Sequence, residues 1–479
     1  MTKIRNSKFE IRNYSRYHLV GICGVGMTAL ALILSDMGNS VTGSDTSDDY
    51  LTASELKLRQ IPVAYPFSEK NLRDADMLVY SGANGGKSNI EVEAAQSKGL
   101  PNFSLAEFVG KLSEEKKTIS VCGCHGKSTT SALIAHMGNQ LRLSMSYYIG
   151  VPSFMGKPSG RWDSGDFFVV ESDEYVADPI ADRTPKFLYL APYAVVCTNI
   201  DFDHPDVFKD LDEVEAAFGK FFMNVQQDGF LVVNGDDTRL LQLARNSGKT
   251  VYTYGEGEGS DYRISNIEES GTDLSFSVTH NREKLGTFST KLLGVHNVYN
   301  ATAAIVLYTV LKYSSSDIQI ALQDFTGVSR RIEFHEQIAG SLLYDDYAHH
   351  PAEIVASLAA LKKRYPRYHV TVIFQPHTYS RTEKLKEEFI ESLKQADTAI
   401  LLPIFGSARE SVGRFSVTSD QLVMEAQKKG YTGFEYVTTD AELSFVMSKL
   451  HEKYPLQVIV TMGAGDVYNK LAVVKKNLL

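Results

Sequence analysis

Two patterns in the sequence predict an α/β fold with parallel sheets, laid out as three successive blocks. Short apolar runs of strand length alternate with helical stretches, the rhythm of strands joined by crossover helices. Two of these runs break into glycine loops ahead of a helix, at residues 21–26 and 123–126, a geometry that favours phosphate groups. At 479 residues the chain is too long for one core, and ~150 residues per domain suggests about three domains.

The first block covers residues 1–116. Its strand-like runs HLVGI, NSVTGSD and DMLVYSG alternate with helical stretches such as Ile90–Lys98. The polar run Ser113–Lys117 reads as a linker. The second block, residues 117–328, carries DFFVVES, YAVVCTNID and GFLVVNGDD, and its segment Asp261–Thr290 alternates like an antiparallel pair. The third block, residues 329–479, has further strands at HVTVIFQP, TAILLPI and QVIVTMGAG.

Composition narrows the function classes. A hydrophobic content of 43% with 22% charged residues is that of a soluble globular chain. The net charge of −9 argues against a nucleic-acid partner. Cys23, Cys122, Cys124 and Cys197 all lie in or beside apolar runs, as buried thiols in a reducing compartment do, and C-x-C at 122–124 lacks a second metal-ligand pair. The N-terminus is basic without an apolar core, unlike a signal peptide. Leu19–Leu34 carries no charge over sixteen residues, short of the ~20 that span a bilayer. A cytoplasmic protein with no membrane partner is expected.

The most specific motif is TISVCGCHGKSTT at Thr118–Thr130. A strand ending at Gly123 and a helix starting near Lys127 leave backbone N–H groups converging on one concavity, where the helix dipole favours phosphate. Gly123, His125, Gly126 and Thr129 shape the loop, Lys127 can reach the β- and γ-phosphates, and the Ser128 hydroxyl can hold magnesium. The loop is shorter than the usual phosphate-binding spacing. A nucleoside triphosphate is the expected ligand, with ATP and Mg²⁺ as cofactors.

Weaker signals flank it. Gly21, Gly24 and Gly26 follow the first strand and offer a diphosphate seat, with Asp45 placed to hold a ribose hydroxyl; a dinucleotide, a nucleotide-sugar or no ligand would each be compatible. Glu171 ends an apolar strand ahead of Asp173 and Glu174, a position suited to a metal, and His204 in TNIDFDH could ligate a second. Asn297 could read an adenine edge or cap its helix. Arg330-Arg331, Asp345-Asp346-Tyr347-Ala-His349-His350 and Gln375-Pro-His377-Thr-Tyr-Ser-Arg381 lie beside strands of the third block.

GICGVGM, GCHGKSTT, ESDEY, TNIDFDH, GVHNVYNA, YDDYAHHPAEI, FQPHTYSRT and TMGAGD occur in the order found in the Mur ligases of peptidoglycan synthesis, and the chain resembles that family from Leu19 to Asp466. The resemblance implies a Rossmann-like N-terminal domain holding a UDP-sugar, a central P-loop ATPase domain and a Rossmann-like C-terminal domain. It implies that Gly24 and Gly26 seat the diphosphate and that Asp45 lies near the uridine ribose. Lys127 and Ser128 then serve ATP and magnesium, Glu171 and His204 hold metal, and Asn297, Arg331 and Asp346 contact ATP. Tyr347, His349 and Arg381 face the incoming amino acid.

The implied activity is joining L-alanine to the lactyl carboxylate of UDP-N-acetylmuramate through an acyl phosphate, by a monomer or weak homodimer. The alternative amine is the L-alanyl-γ-D-glutamyl-meso-diaminopimelate tripeptide, since Tyr175-Val-Ala-Asp-Pro and FLYLAP are similar to the ligase that recycles it. Cys124 stands where the family usually has threonine. Lys209 and Lys220 lie where several members carry a carbamylated lysine, and the sequence selects neither. From other classes, a nicotinamide-dependent oxidoreductase would use the first glycine loop but leave Lys127–Thr129 without a role. A regulatory nucleotide-binding module would keep Lys127 without the acids and arginines.

Overall fold

The computed structural model describes residues 11–270, 273–406 and 416–478, which build three α/β domains in chain order. In the first, the strands run in the order Val63–Ala64, Ser40–Ser44, Arg16–Val20, Met77–Tyr80 and Asn102–Ser104, every neighbouring pair parallel. This doubly wound order places Gly21 and Gly24 at the carboxyl edge of the first strand, at the head of the helix Val25–Asp36. The polar run read as a linker is short: only three residues separate the helix Leu105–Ser113 from the strand Lys117–Cys122, and one of them, Lys116, is pinned to the carbonyls of Asp163 and Gly165.

The central sheet has ten strands. Seven are parallel in the order Tyr262–Ser270, Thr250–Gly255, Phe230–Asn234, Ala194–Cys197, Lys117–Cys122, Phe167–Glu171 and Ser146–Phe154. The central members are buried on both faces, so they read as continuous apolar runs. Where the sequence suggested an antiparallel pair over Asp261–Thr290, the structure has three antiparallel strands, Tyr262–Ser270, Asp273–His280 and Glu283–Thr290. At the other edge, Lys157–Arg161 pairs antiparallel with Ser146–Phe154.

The uncharged run Leu19–Leu34 is explained by this hairpin. The helix Val25–Asp36 is buried from Met27 to Leu34 because its outer side is covered by Lys157–Arg161, so closely that a Cβ on Gly160 would lie 2.0 Å from the Ala29 carbonyl oxygen. No described helix is long and apolar enough to cross a membrane.

The third domain has six strands in the order Glu333–Ile338, Ser341–Asp346, Gln457–Met462, His369–Phe374, Thr398–Leu401 and Phe434–Tyr436, all parallel except the first. The tails of Ser341–Asp346 and His369–Phe374 aim Tyr347–His350 and Gln375–Arg381 at the central domain.

Candidate active site

The strand Lys117–Cys122 stops at Gly123, and the helix Lys127–Gln140 starts directly after Gly126. Both glycines adopt positive φ, +125° and +82°, and a Cβ on Gly123 would lie 2.2 Å from Thr198 Oγ1. The loop between them is stapled to the next strand's tail: His125 N donates to Asn199 Oδ1 at 2.9 Å, and the His125 carbonyl accepts from Thr198 Oγ1 and Asn199 Nδ2.

Lys127 Nζ donates to Glu174 at 2.9 and 3.1 Å and to the Cys124 carbonyl at 3.3 Å. Burial opposes its charge, but Glu174 and Asp173 more than offset that and hold its pKa above the ordinary lysine range. Ser128 Oγ donates to Glu171 Oε1 at 2.7 Å, and Gly150 N donates to Glu171 Oε2 at 2.6 Å. Burial raises Glu171 above the usual carboxylate range despite those two bonds.

The metal residues expected from sequence fall into two groups. Ser128 and Glu171 touch, whereas His204 joins Asp173 and Glu174, their ligand atoms within 4.8 Å of one another. Glu174, 1% exposed, is the shared partner of Lys127 and of His204 Nε2, the latter at 3.4 Å. The sequence pattern gave Glu174 less weight than Glu171, because only Glu171 ends the apolar strand. Lys209 and Lys220 are both exposed on the surface, away from this cluster.

Two cavities meet at the loop. One, of about 400 Å³, is lined by His125, Thr129, Asn297, Tyr299 and Asp346 among others. Asn297 is anchored there by donating to the Leu293 carbonyl at 2.7 Å. Burial pushes Asp346 up to about 6, although Ser357 donates to it. The other, of about 450 Å³, runs from Gly24 and Gly26 past Lys127, Glu171 and His204 to Tyr347 and His349. Burial pushes His349 down to about 3, so its ring is neutral at pH 7, and its Nδ1 donates to the Tyr347 carbonyl at 2.9 Å. Nε2 is then the acceptor.

Three expected site residues, Gly123, Asp45 and Arg381, lie off the cavity walls. Asp45, 1% exposed, accepts from Cys23 N at 2.8 Å and Thr46 N at 2.8 Å, so its carboxylate fixes the first glycine loop instead of projecting towards a ligand. Arg381, 4% exposed, gives Nη2 to Asp203 Oδ1 at 2.6 Å across the domain boundary.

Glu353 was not singled out from the sequence. It lies in the first turn of the helix Pro351–Arg364, faces both cavities, and is held well below the usual carboxylate range: burial opposes ionisation, but His349, His125 and Arg331 outweigh it. Its signals in the sequence are its place in the motif YDDYAHHPAEI and the S/T-x-x-E-like capping spacing from His350.

Three family models cover this geometry: the Mur ligase family catalytic domain over residues 16–117, the Mur ligase middle domain over 121–308 and the Mur ligase glutamate ligase domain over 330–465. The chain is 39% identical to the UDP-N-acetylmuramate–L-alanine ligase of Lactiplantibacillus plantarum, covering 95% of this chain and 97% of the relative. It is also 39% identical to the enzyme of the same name from Levilactobacillus brevis, over 95% of each. Among solved structures, the UDP-N-acetylmuramate–alanine ligase of Thermotoga maritima superposes with a TM-score of 0.77 at 26% identity, covering 96% of this chain and 98% of that one. A murein peptide ligase from Psychrobacter arcticus shares the fold, with a TM-score of 0.72 at 21% identity over 97% and 98% of the two chains.

Fold and site together define an ATP-dependent carboxylate–amine ligase of three α/β domains. The chain belongs to the Mur ligase family.

Proposed function

We propose that this ligase joins the amine of L-alanine to the lactyl carboxylate of UDP-N-acetylmuramate, using ATP and an acyl phosphate intermediate. The observation that carries the reading is the seam between the cavities. Gly126, Ser128, Arg331 and Glu353 line both, so the end of a triphosphate in one meets the end of a carboxylate in the other. The near-full-length relatives named for this reaction support the choice of substrates.

On this reading residues 1–116 hold the UDP-sugar, 117–328 hold ATP and 329–479 bring the amino acid, in the cytoplasm where ATP is available. Gly24 and Gly26 give the diphosphate a helix N-terminus. Asn297, Arg331 and Asp346 contact ATP in the first cavity. Ser128 and Glu171, with Asp173 and His204 across the same cavity and Glu174 within 4.8 Å of those two, are an oxygen-rich donor set of the kind Mg²⁺ takes. When bound, the ion offsets the charge of two anions brought together.

Lys127 turns from Glu174 towards the γ-phosphate as the sugar carboxylate attacks the γ-phosphorus, the bond to the β-phosphate oxygen breaks and ADP leaves, giving the acyl phosphate. The amine nitrogen then attacks the acyl carbon and phosphate leaves. His349 Nε2 accepts from an N–H of the amine, and the fork of Arg381 suits the amino-acid carboxylate.

The test is turnover by the purified chain with Mg·ATP and UDP-N-acetylmuramate, offering L-alanine, glycine, serine or the tripeptide. Phosphate release with UDP-N-acetylmuramoyl-alanine detected by mass spectrometry is the expected outcome. Product with the tripeptide alone, or no phosphate with any amine, would sink the reading.

A further inference from the structure

Glu353 has no role in the reaction as derived so far, yet its position is unusual. It is a buried carboxylate at the throat where a triphosphate and a second anion are brought together, a place where negative charge is costly. Its two oxygens are divided between two halves of the site. Oε1 lies 3.2 Å from Arg331 Nη1 and 3.5 Å from His125 Nδ1, the phosphate side. Oε2 accepts from His349 N at 3.1 Å and His350 N at 3.3 Å, the amine side.

His125 is held from both faces. Its Nε2 meets Asp201 Oδ2 at 3.2 Å in the central domain, and its Nδ1 faces Glu353 in the third. Only the Asp201 contact is a hydrogen bond; Glu353 stands at ion-pair distance from a nitrogen with no hydrogen-bond partner among the described residues, and an imidazolium suits both carboxylates. The His350 ring packs against it, with centroids 4.8 Å apart. The triphosphate loop and the Tyr347–His350 turn are therefore joined through one carboxylate, whose His125 contact crosses between domains and whose His349 and His350 contacts lie within the third.

We infer that Glu353 is a positioning residue that ties the triphosphate loop to the amino-acid wall, acting through His125 and Arg331 on one side and the His349–His350 backbone on the other. With the link intact, seating the loop also seats His349. Without it, each half is built separately and the amine meets a disordered wall.

The inference rests on the ligase reading, and the test separates the two. Steady-state constants for each substrate are measured on the full chain carrying Glu353→Gln, His125→Asn or both. Glu353→Gln keeps the shape and loses the charge. His125→Asn lies in the triphosphate loop and meets the amino-acid side only through Glu353 and the His350 ring, without touching Arg381 or His349.

Both single variants are expected to raise the KM for the amino acid at least tenfold, more than that for UDP-N-acetylmuramate, and the double variant to be no worse than the poorer single one. An unchanged amino-acid KM in His125→Asn, or single losses that multiply in the double variant, would overturn the link. If Glu353→Gln does not fold, the His125→Asn constants decide alone. Should the wild type use the tripeptide in place of L-alanine, the alanine reading fails and the same KM comparison is made with the tripeptide; a wild type with no turnover overturns both.

Discussion

Cys124 sits inside the triphosphate loop, where its Sγ donates to the Asp201 carbonyl at 3.0 Å and accepts from Asp201 N at 3.2 Å. Burial pushes the thiol well above the ordinary cysteine range, so it stays protonated and keeps its donor. The family's usual threonine can make the same donor–acceptor pair with a hydroxyl, which is the physical reason a cysteine is tolerated there. Cys124→Thr is expected to leave kcat within about threefold and stability within ~1 kcal/mol, since stronger bonds offset one extra methyl in a 7% exposed site. Urea unfolding and turnover check this. A loss beyond tenfold would mean that the sulfur has a role the hydroxyl cannot take. The site residues that were legible in the sequence, such as Lys127, Ser128 and Glu171, sit directly at the end of a buried strand or the head of its helix. Glu353 was not, because His125 is brought to it only by the packing of two domains and Arg331 only by the folding of the third.

Legibility at the scale of elements follows burial. Phe167–Glu171, Ala194–Cys197 and Gln457–Met462 lie inside parallel sheets, and their apolar runs are visible in the sequence. Glu333–Ile338 is an edge strand with half-exposed, polar residues, and it carries no such signal. Ser146–Phe154, interrupted by Gly150 and Pro152, is equally faint. Yet this strand and its partner Lys157–Arg161 form the surface on which the first domain rests. Trp162 N donates to Asp36 Oδ2 at 3.1 Å at the end of the buried helix, and Gly160 lies against Ala29. Gly160→Ala places a methyl where the Ala29 backbone already is. It is expected to cost about 1–3 kcal/mol and to loosen the first domain from the second. Earlier proteolytic cleavage near residues 113–117 and a lower thermal midpoint would show it; an unchanged midpoint would mean that the helix shifts without penalty.

The second and third domains are fastened at their seam by the pair Arg381–Asp203, one partner from each. Both are buried, Asp203 at 5% exposure, and breaking such a pair leaves an uncompensated charge costing about 3–5 kcal/mol. Arg381 is also the guanidinium that the proposed reaction needs for the amino-acid carboxylate, and Asp203 occupies one arm of its fork. Its Nε is buried and has no hydrogen-bond partner among the described residues, so a second carboxylate reaches it only once that atom is uncovered. The two roles separate by substitution. Asp203→Asn removes the charge of the domain contact and the one beside His204, whose N donates to Asp203 Oδ1 at 2.6 Å, whereas Arg381→Ala removes the contact and the carboxylate seat. Both variants are expected to widen the molecule in small-angle scattering. Only Arg381→Ala is expected to lose about a hundredfold in kcat/KM for L-alanine, with Arg381→Lys between them because it keeps the charge but not the fork. Equal losses in Asp203→Asn and Arg381→Ala would reduce Arg381 to a domain fastener. The amino-acid carboxylate would then have to be sought elsewhere on the wall formed by Tyr347 and His349.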